Sequence, residues 1–361
     1  MRASLRASSV HPVVRVTENF ASEGPLSPPI REALLAAFDQ GWADPKKLSQ
    51  AASRAAILRN QSIENIAGKL SIPTASVEIL GEPSLGHFLA IAGFMQSGSP
   101  FAYSSIDKGK VRAIARTQGV QSIEIPVTQD GQIKYPDSLP EKTTLSLQIA
   151  NGETGIVQGN FHGAEKARFI SVDATSSGTR TPLPPRWDSA LFDARSWNGP
   201  AGISILAISN RADFTYPLPH IAPINSPGSY SLPLLIASSI ALDVFQDAKA
   251  EMRRYLVEGL QKIEGVEIVG LNAPSLNHLL SCVVLGVRND VIVRELASQG
   301  IDLDAGSACS PADLQPSHVI AAMGYPTDGQ LRFTLRSEIT QNEVDKLLTS
   351  LKAVIDRERK S

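Results

Sequence analysis

The sequence predicts an α/β protein with a mainly parallel sheet, followed by a smaller α+β unit. Short apolar segments of the buried, parallel-strand type alternate with helical patterns between residues 77 and 208. After residue 263 the alternation gives way to short strands and helices in a different order. The length of 361 residues suits two such units. Ligands of parallel sheets bind at the carboxyl ends of the strands, which is where functional residues are expected.

The predicted elements of the larger unit follow from periodicity and end signals. Pro28 and Pro29 favour the start of the first helix, and the second helix is long and amphipathic. Gly81 and Pro83 separate a short strand from the third helix. Helices are predicted over 29–38, 48–70, 85–96, 109–118 and 231–263, and strands over 77–80, 101–104, 121–126, 144–149, 169–172, 190–193 and 203–208.

The smaller unit is predicted from the same signals with a changed order. Its strands are expected over 266–269, 279–285 and 331–335, and its helices over 290–299, 316–323 and 341–357. We expect a larger domain at 18–255 and a smaller domain at 256–361, with segment 1–17 packed near the smaller one.

Composition excludes several classes of function. The chain has 34 basic and 36 acidic residues, a net charge of −2, which disfavours binding to a phosphate backbone. No apolar run is long enough to span a membrane, and the first residues lack the apolar core of a secretion signal, so a cytoplasmic location is expected. Two cysteines imply no disulfide framework, and no Cys/His cluster has the spacing of a metal site.

The two cysteines have different surroundings. Cys309 lies in DAGSACSPADLQPSH, where small neighbours would expose a thiol on a loop as a nucleophile or sulfur carrier. Composition alone favours the alternative, a small buried residue. Cys282 lies in the apolar segment LLSCVVLG and is predicted to be part of the core.

Two charged residues have positions compatible with ligand binding. Asp173 ends the strand pattern FISVD, where a carboxylate could pair with a protonated pyridinium nitrogen or simply cap a turn. Arg332 lies in LRFTLR, where it could hold a carboxylate through two parallel hydrogen bonds or be an ordinary edge charge facing solvent.

Five segments occur in an order that is typical of one known family. They are WADPKKLSQAASRA at 42–55, NGETGIVQ at 151–158, VDAT at 172–175, GSACSPADLQPSHVIAAMG at 306–324 and LRFTLR at 331–336. Through them the chain resembles the cysteine desulfurases (NifS/IscS-like) of the class V aminotransferase family over most of residues 18–356. The resemblance implies fold type I of the pyridoxal phosphate enzymes, usually as a homodimer. Such enzymes hold the cofactor on a lysine, take sulfur from cysteine and leave alanine and a cysteine persulfide.

Three family residues are retained at matching positions. By resemblance, Cys309 is the persulfide-forming cysteine, Asp173 the pyridinium partner and Arg332 the residue that binds the substrate carboxylate. The family's SGHKxxGP segment corresponds to DARSWNGP, so the Schiff-base lysine falls on Ser196 and its preceding histidine on Arg195. No lysine occurs between Lys166 and Lys249 to replace it.

Other positions depart from the family pattern as well. The second asparagine of NNEIGVVQ is Gly152, the glutamine after VDAT is Ser176, and no histidine lies near Asp107 or Lys108, where the ring-stacking histidine falls. The phosphate-binding turn SGATES corresponds to LGEPSL at 80–85, in which Ser84 still offers a hydroxyl, and the partner-supplied RSGT turn is SPGS at 226–229. Pyridoxal phosphate is therefore expected by resemblance, but without a covalent link.

Three hypotheses follow from this pattern. The first is a non-catalytic or repurposed family member that acts as a binding or scaffold protein, as a homodimer or with an active paralogue or sulfur acceptor. The second is an active cysteine desulfurase that passes sulfur to Cys309 for iron–sulfur cluster or thio-cofactor assembly. The third is a thiol carrier that uses Cys309 without the usual lysine chemistry.

Overall fold

The computed structural model of the chain describes residues 17–39, 43–117, 119–159, 161–221, 224–306 and 316–360. Its strands are β1 (Glu18–Phe20), β2 (Val77–Leu80), β3 (Phe101–Ser104), β4 (Ser122–Ile125), β5 (Thr144–Gln148), β6 (Phe169–Asp173), β7 (Ser189–Asp193), β8 (Ser204–Ile208), β9 (Val266–Ile268), β10 (Leu279–Val284), β11 (Ile301–Ala305) and β12 (Gln330–Thr334). Its helices are α1 (Pro28–Asp39), α2 (Gln50–Leu70), α3 (Pro83–Ala92), α4 (Gly109–Thr117), α5 (Leu232–Val244), α6 (Ala250–Leu260), α7 (Asn289–Ser298), α8 (His318–Ala322) and α9 (Gln341–Glu358).

The larger sheet confirms the predicted parallel core. Its strand order is β2-β8-β7-β6-β5-β3-β4. The pairs from β4 to β7 are parallel, whereas β8 runs antiparallel to both β7 and β2. Every residue of β5, β6, β7 and β8 is buried, as their short apolar patterns predict. The parallel strands therefore present their carboxyl ends at one edge, which positions the candidate site.

The smaller sheet is mainly antiparallel and includes two strands outside the predicted set. Its order is β1-β11-β12-β10-β9, with β1 parallel to β11 and the other pairs antiparallel. β1, which a domain boundary at residue 18 would assign to the larger unit, thus belongs to the smaller sheet, and Phe20 is fully buried in its core. The division into domains at residue 255 stays a prediction.

The single helix predicted over 231–263 is wrong, because the structure has α5 and α6 in its place. The backbone becomes extended at Phe245, with φ of −62° and ψ of 131°. Arg180 lies 4.7 Å above the Phe245 ring and forms a salt bridge with Asp247. These contacts hold the break, so that α5 packs in the core of the larger unit and α6 in that of the smaller one. No glycine or proline marks this break in the sequence.

Candidate functional site

A cavity of about 770 Å³ lies between the carboxyl edge of the larger sheet and strand β12 of the smaller sheet. It brings together most of the residues singled out from the sequence. Six of them line it: Ser84, Gly152, Ser176, Arg195, Ser196 and Arg332. Asp173 lies next to the cavity, in contact with three side chains that line it, those of His87, Lys108 and Thr175. Cys309 lies outside the described residues.

The Asp173 carboxylate is the buried anion of the site. It stands at the end of β6 and is 6% exposed. One oxygen accepts hydrogen bonds from the backbone N–H and hydroxyl of Thr175, and the other lies 3.2 Å from Lys108 Nζ. Burial alone would raise the pKa of Asp173, but Lys108, His87 and the Thr175 bonds outweigh it and lower the pKa to about 2. The group is therefore a permanent carboxylate at neutral pH.

Lys108, rather than His87, balances this charge. His87 Nε2 lies 3.9 Å from the Asp173 carboxylate. Burial lowers the pKa of His87 to about 4 despite the nearby carboxylate, so the imidazole is neutral at pH 7. The Lys108 ammonium also donates to the Thr175 hydroxyl. Asp173 is thus half of an ion pair with a lysine of its own chain.

Lys108 is a site residue that no sequence motif marks as a ligand group. The sequence signal that could have identified it is its position, because Lys108 aligns with the family histidine that stacks on the cofactor ring. It follows β3 and immediately precedes α4, and its neighbour Asp107 is fully enclosed. Burial raises the pKa of Asp107 to about 7. The backbone carbonyl of Asp107 accepts a hydrogen bond from His318 Nε2 at 2.8 Å when that nitrogen is protonated, which ties α8 to this edge.

Ser196 occupies a tight helical turn after β7 and offers no amine. It is buried, and its hydroxyl donates to the backbone carbonyl of Asp193 at 2.7 Å. The Arg180 guanidinium donates to the Ser196 carbonyl. Gly178, with a φ of +55°, packs so closely that a Cβ there would lie 2.5 Å from Ser196 Oγ. The preceding residue, Arg195, donates to the Asp193 carboxylate from Nη2 at 2.7 Å and from Nε at 3.1 Å. These bonds raise the pKa of Arg195.

The N-terminus of α3 is closed by a carboxylate. Glu82 Oε1 accepts from the backbone N–H of Ser84 at 2.8 Å, and Oε2 accepts from Leu85 N–H at 2.6 Å. Burial opposes ionisation, but the bonds from Ser84 and Leu85, together with nearby Lys110, lower the pKa of Glu82. Pro83 follows as the first residue of the helix. These backbone groups are the ones that would otherwise receive an anion.

The segment after β5 lines the cavity with Asn151, Gly152 and Glu153. A Cβ at Gly152 would lie 2.7 Å from Ser176 Oγ, so the backbone passes close to Ser176 at this point. The Asn151 amide turns inward and donates to the carbonyl of Ile106 at 3.1 Å and to Gln148 Oε1 at 3.1 Å. The Asn151 amide therefore holds the loop at the wall of the cavity.

Arg332 lines the cavity as predicted but is engaged within the chain. Its guanidinium lies 2.7 Å from Asp304 of the neighbouring strand β11 and also donates to the Ser22 hydroxyl at 3.3 Å. Cys282 lies in the core, as predicted, and burial raises the pKa of its thiol to about 12. Across the described ranges, no group of three His, Cys, Asp or Glu residues could hold a metal ion, and none of the helices found there is long and apolar enough to cross a membrane.

This arrangement does not fit the cofactor that the resemblance implies. A covalent link has no amine at Ser196, the carboxylate that would pair with a pyridinium is paired with Lys108, and the anion-binding end of α3 holds Glu82. The cavity has the location of a cofactor site, but protein side chains take up its charged contacts.

Comparisons with known proteins identify the family. The Aminotransferase class-V family model matches residues 223–347. The cysteine desulfurase of Cereibacter sphaeroides is 30% identical, with 71% of this chain and 73% of the relative covered. Cysteine desulfurase IscS 1 of Archaeoglobus fulgidus is 26% identical, with 94% and 97% covered.

Solved structures support the same fold. A NifS-like protein matches with a TM-score of 0.82 at 19% identity, covering 94% of this chain and 99% of its own. The cysteine desulfurase CsdA of Escherichia coli matches with a TM-score of 0.73 at 19% identity, covering 95% and 94%. The architecture is therefore that of a pyridoxal phosphate enzyme of fold type I, and relatives of this kind imply pyridoxal phosphate as the family's cofactor. The chain belongs to the NifS/IscS-like cysteine desulfurases of the class V aminotransferase family.

Proposed function

We propose that this chain is a non-catalytic or repurposed member of the cysteine desulfurase family, which does not release sulfur from cysteine through a lysine-bound cofactor. The observation that carries the proposal is Ser196 at the position of the Schiff-base lysine. Its hydroxyl is buried and donates to the Asp193 carbonyl, so it provides neither an amine nor a base facing the cavity. The missing lysine removes a general acid–base role that is worth about 10²–10⁴-fold in rate.

The surrounding residues support the same proposal. A chain that had lost only the lysine would keep the remaining contacts available for a ligand. Here Asp173 is paired with Lys108, Arg332 with Asp304, and the α3 N-terminus is capped by Glu82. Each of these contacts joins protein to protein, and their combination favours a cavity that has been rebuilt rather than a single damaged position.

The test combines borohydride trapping of any lysine-bound cofactor with an assay for sulfide release. Purified protein is incubated with pyridoxal phosphate and reduced with borohydride, and peptide mapping locates any labelled lysine. Sulfide release from cysteine is measured in parallel. We expect no label on a cavity lysine and no sulfide above the buffer control. Ser196→Lys alone should recover little activity, because the contacts at Gly152 and Ser176 remain different from the family pattern.

Activity of the unmodified protein would contradict the proposal and favour an active desulfurase. Lys108 is the specific reason to test this alternative, since its amine lines the cavity. Sulfide release that is lost in both Lys108→Ala and Cys309→Ala would establish turnover through an unrecognised amine and the retained cysteine. Lys110→Ala is the matched control, because Lys110 lines the same cavity but lies on the exposed side of α4.

A binding or scaffold role requires a partner surface, and α1 and α2 offer one. Large apolar side chains are exposed on these helices, including Phe38 at 53% and Ile57 at 57%, and Leu48, just before α2, is exposed at 105%. Isolated exposed apolar residues are ordinary, but several on adjacent elements favour an interface. We propose a dimer through this face, either with a second copy or with an active paralogue, and a cytoplasmic location.

A further inference from the structure

We propose that Lys108 and Glu82 are built-in counter-ions, which occupy the cation and anion positions of the cavity and thereby exclude a phosphorylated pyridine ligand. The inference goes beyond the loss of the Schiff-base lysine. A chain lacking that lysine could still bind the cofactor non-covalently through its ring nitrogen and phosphate. Here both of those contacts are taken by side chains of the protein itself.

The cation position is defined by the buried Asp173 carboxylate. A protonated ring nitrogen needs this carboxylate as its fixed negative partner. Lys108 Nζ lies 3.2 Å from it and also donates to Thr175, whose hydroxyl and N–H bind the same carboxylate. A ligand cation would have to displace Lys108 or share Asp173 with a second positive charge. Both outcomes are unfavourable in an enclosed site.

The anion position is the N-terminus of α3. The first N–H groups of a helix lack partners within the helix, and the helix dipole favours negative charge at this end. The Glu82 carboxylate accepts from two of them, Ser84 and Leu85. A phosphate at this end would meet a carboxylate in place of N–H donors. The two like charges would compete for the same groups.

The backbone group that Glu82 caps and the Lys108 side chain face one cavity. Ser84 and Lys108 line it together, and each counter-ion belongs to a strand–helix connection of the same sheet, β2 to α3 and β3 to α4. Removing one counter-ion should expose one binding contact, and removing both should expose two.

The experiment titrates pyridoxine 5′-phosphate into the full chain and measures binding by equilibrium dialysis. This probe carries the ring nitrogen and phosphate but no aldehyde, so surface lysines cannot react with it. Pyridoxine, which lacks the phosphate, is the second probe. The proteins are the wild type, Glu82→Ser, Lys108→Met and the double variant. Serine is chosen at position 82 because it caps a helix without a charge. Lys108→His is included because it keeps a titratable partner for Asp173 if the methionine variant does not fold.

We expect no saturable binding by the wild type and at least about tenfold tighter phosphate-dependent binding by the double variant, which corresponds to about 1.4 kcal/mol. Glu82→Ser should improve binding of pyridoxine 5′-phosphate but not of pyridoxine. The control variants are Glu165→Ala and Lys346→Met. Glu165 accepts a backbone N–H from Gly163 and Lys346 pairs with Glu18, and none of these residues lines the cavity.

Two results would overturn the inference. One is saturable binding of the phosphorylated probe by the wild type, and the other is a folded double variant that binds no more tightly than the wild type. Neither result bears on the loss of desulfuration, because that is read from lysine labelling and sulfide release. Conversely, sulfide release by the wild type would contradict the proposed function independently of this titration.

Discussion

The ion pair between Lys108 and Asp173 makes a quantitative stability prediction. Relative to its ordinary value of 3.8, the pKa of Asp173 is lowered to about 2. At about 1.36 kcal/mol per unit, this lowering corresponds to about 2 kcal/mol of folding stability, to which Lys108, His87 and the Thr175 bonds all contribute. Removing one partner of a fully buried pair costs about 3–5 kcal/mol. Because the Lys108 side chain is 33% exposed, we expect Lys108→Met to cost about 2–3 kcal/mol at pH 7.

The pH dependence of this cost has a definite sign. A lowered folded-state pKa contributes stability that is complete above 3.8 and is lost as the pH falls towards about 2. In Lys108→Met, burial is no longer opposed by the ammonium, so the pKa of Asp173 should rise above its ordinary value. The variant is then destabilised at neutral pH and recovers relative to the wild type as acid protonates Asp173. The difference between the two proteins should therefore shrink on going from pH 7 to about pH 4.5.

Urea denaturation followed by tryptophan fluorescence measures this difference. Trp197 is fully buried in the core of the larger unit, one residue from Ser196, so its emission reports the unit that contains the ion pair. Asp173→Asn in the Lys108→Met background should restore part of the stability, because no buried charge is left unpaired. Lys110→Met is the matched control. A Lys108→Met variant within about 0.5 kcal/mol of the wild type at pH 7, or a deficit independent of pH, would refute the reasoning.

Two further predictions concern the surface and the core. We expect a two-fold dimer whose interface buries more than about 2,000 Å² in total. Ile57→Asp, on the exposed apolar face of α2, should lower the molecular mass measured by light scattering towards that of the monomer, whereas Glu64→Gln on the same helix should leave it unchanged. A wild-type monomer at micromolar concentration would contradict the dimer. We also expect Cys282 to resist alkylation in the native state, because burial raises the pKa of its thiol to about 12; rapid labelling of Cys282 in folded protein, mapped by mass spectrometry, would contradict that burial.

Local sequence patterns determined much of the architecture. The short apolar segments predict β5 to β8 as buried strands, and the long amphipathic pattern predicts α2, because these signals arise from neighbours within one element. The functional groups of a side chain can also be read from the sequence alone. A serine at position 196 lacks an amine in any fold, so the absent lysine is visible from the sequence.

Tertiary structure decided the contacts between those elements. The break at Phe245 has no glycine or proline to mark it, since Arg180, 65 residues earlier, supplies the ring contact that holds it. Lys108 and Asp173 are likewise far apart in sequence and meet only because β3 and β6 end at the same edge of one sheet. The sequence specifies which charged side chains a protein has, but which of them form ion pairs depends on their distance and burial in the folded state. For that reason the sequence alone determined the missing lysine, whereas only the fold decided that a different lysine neutralises Asp173.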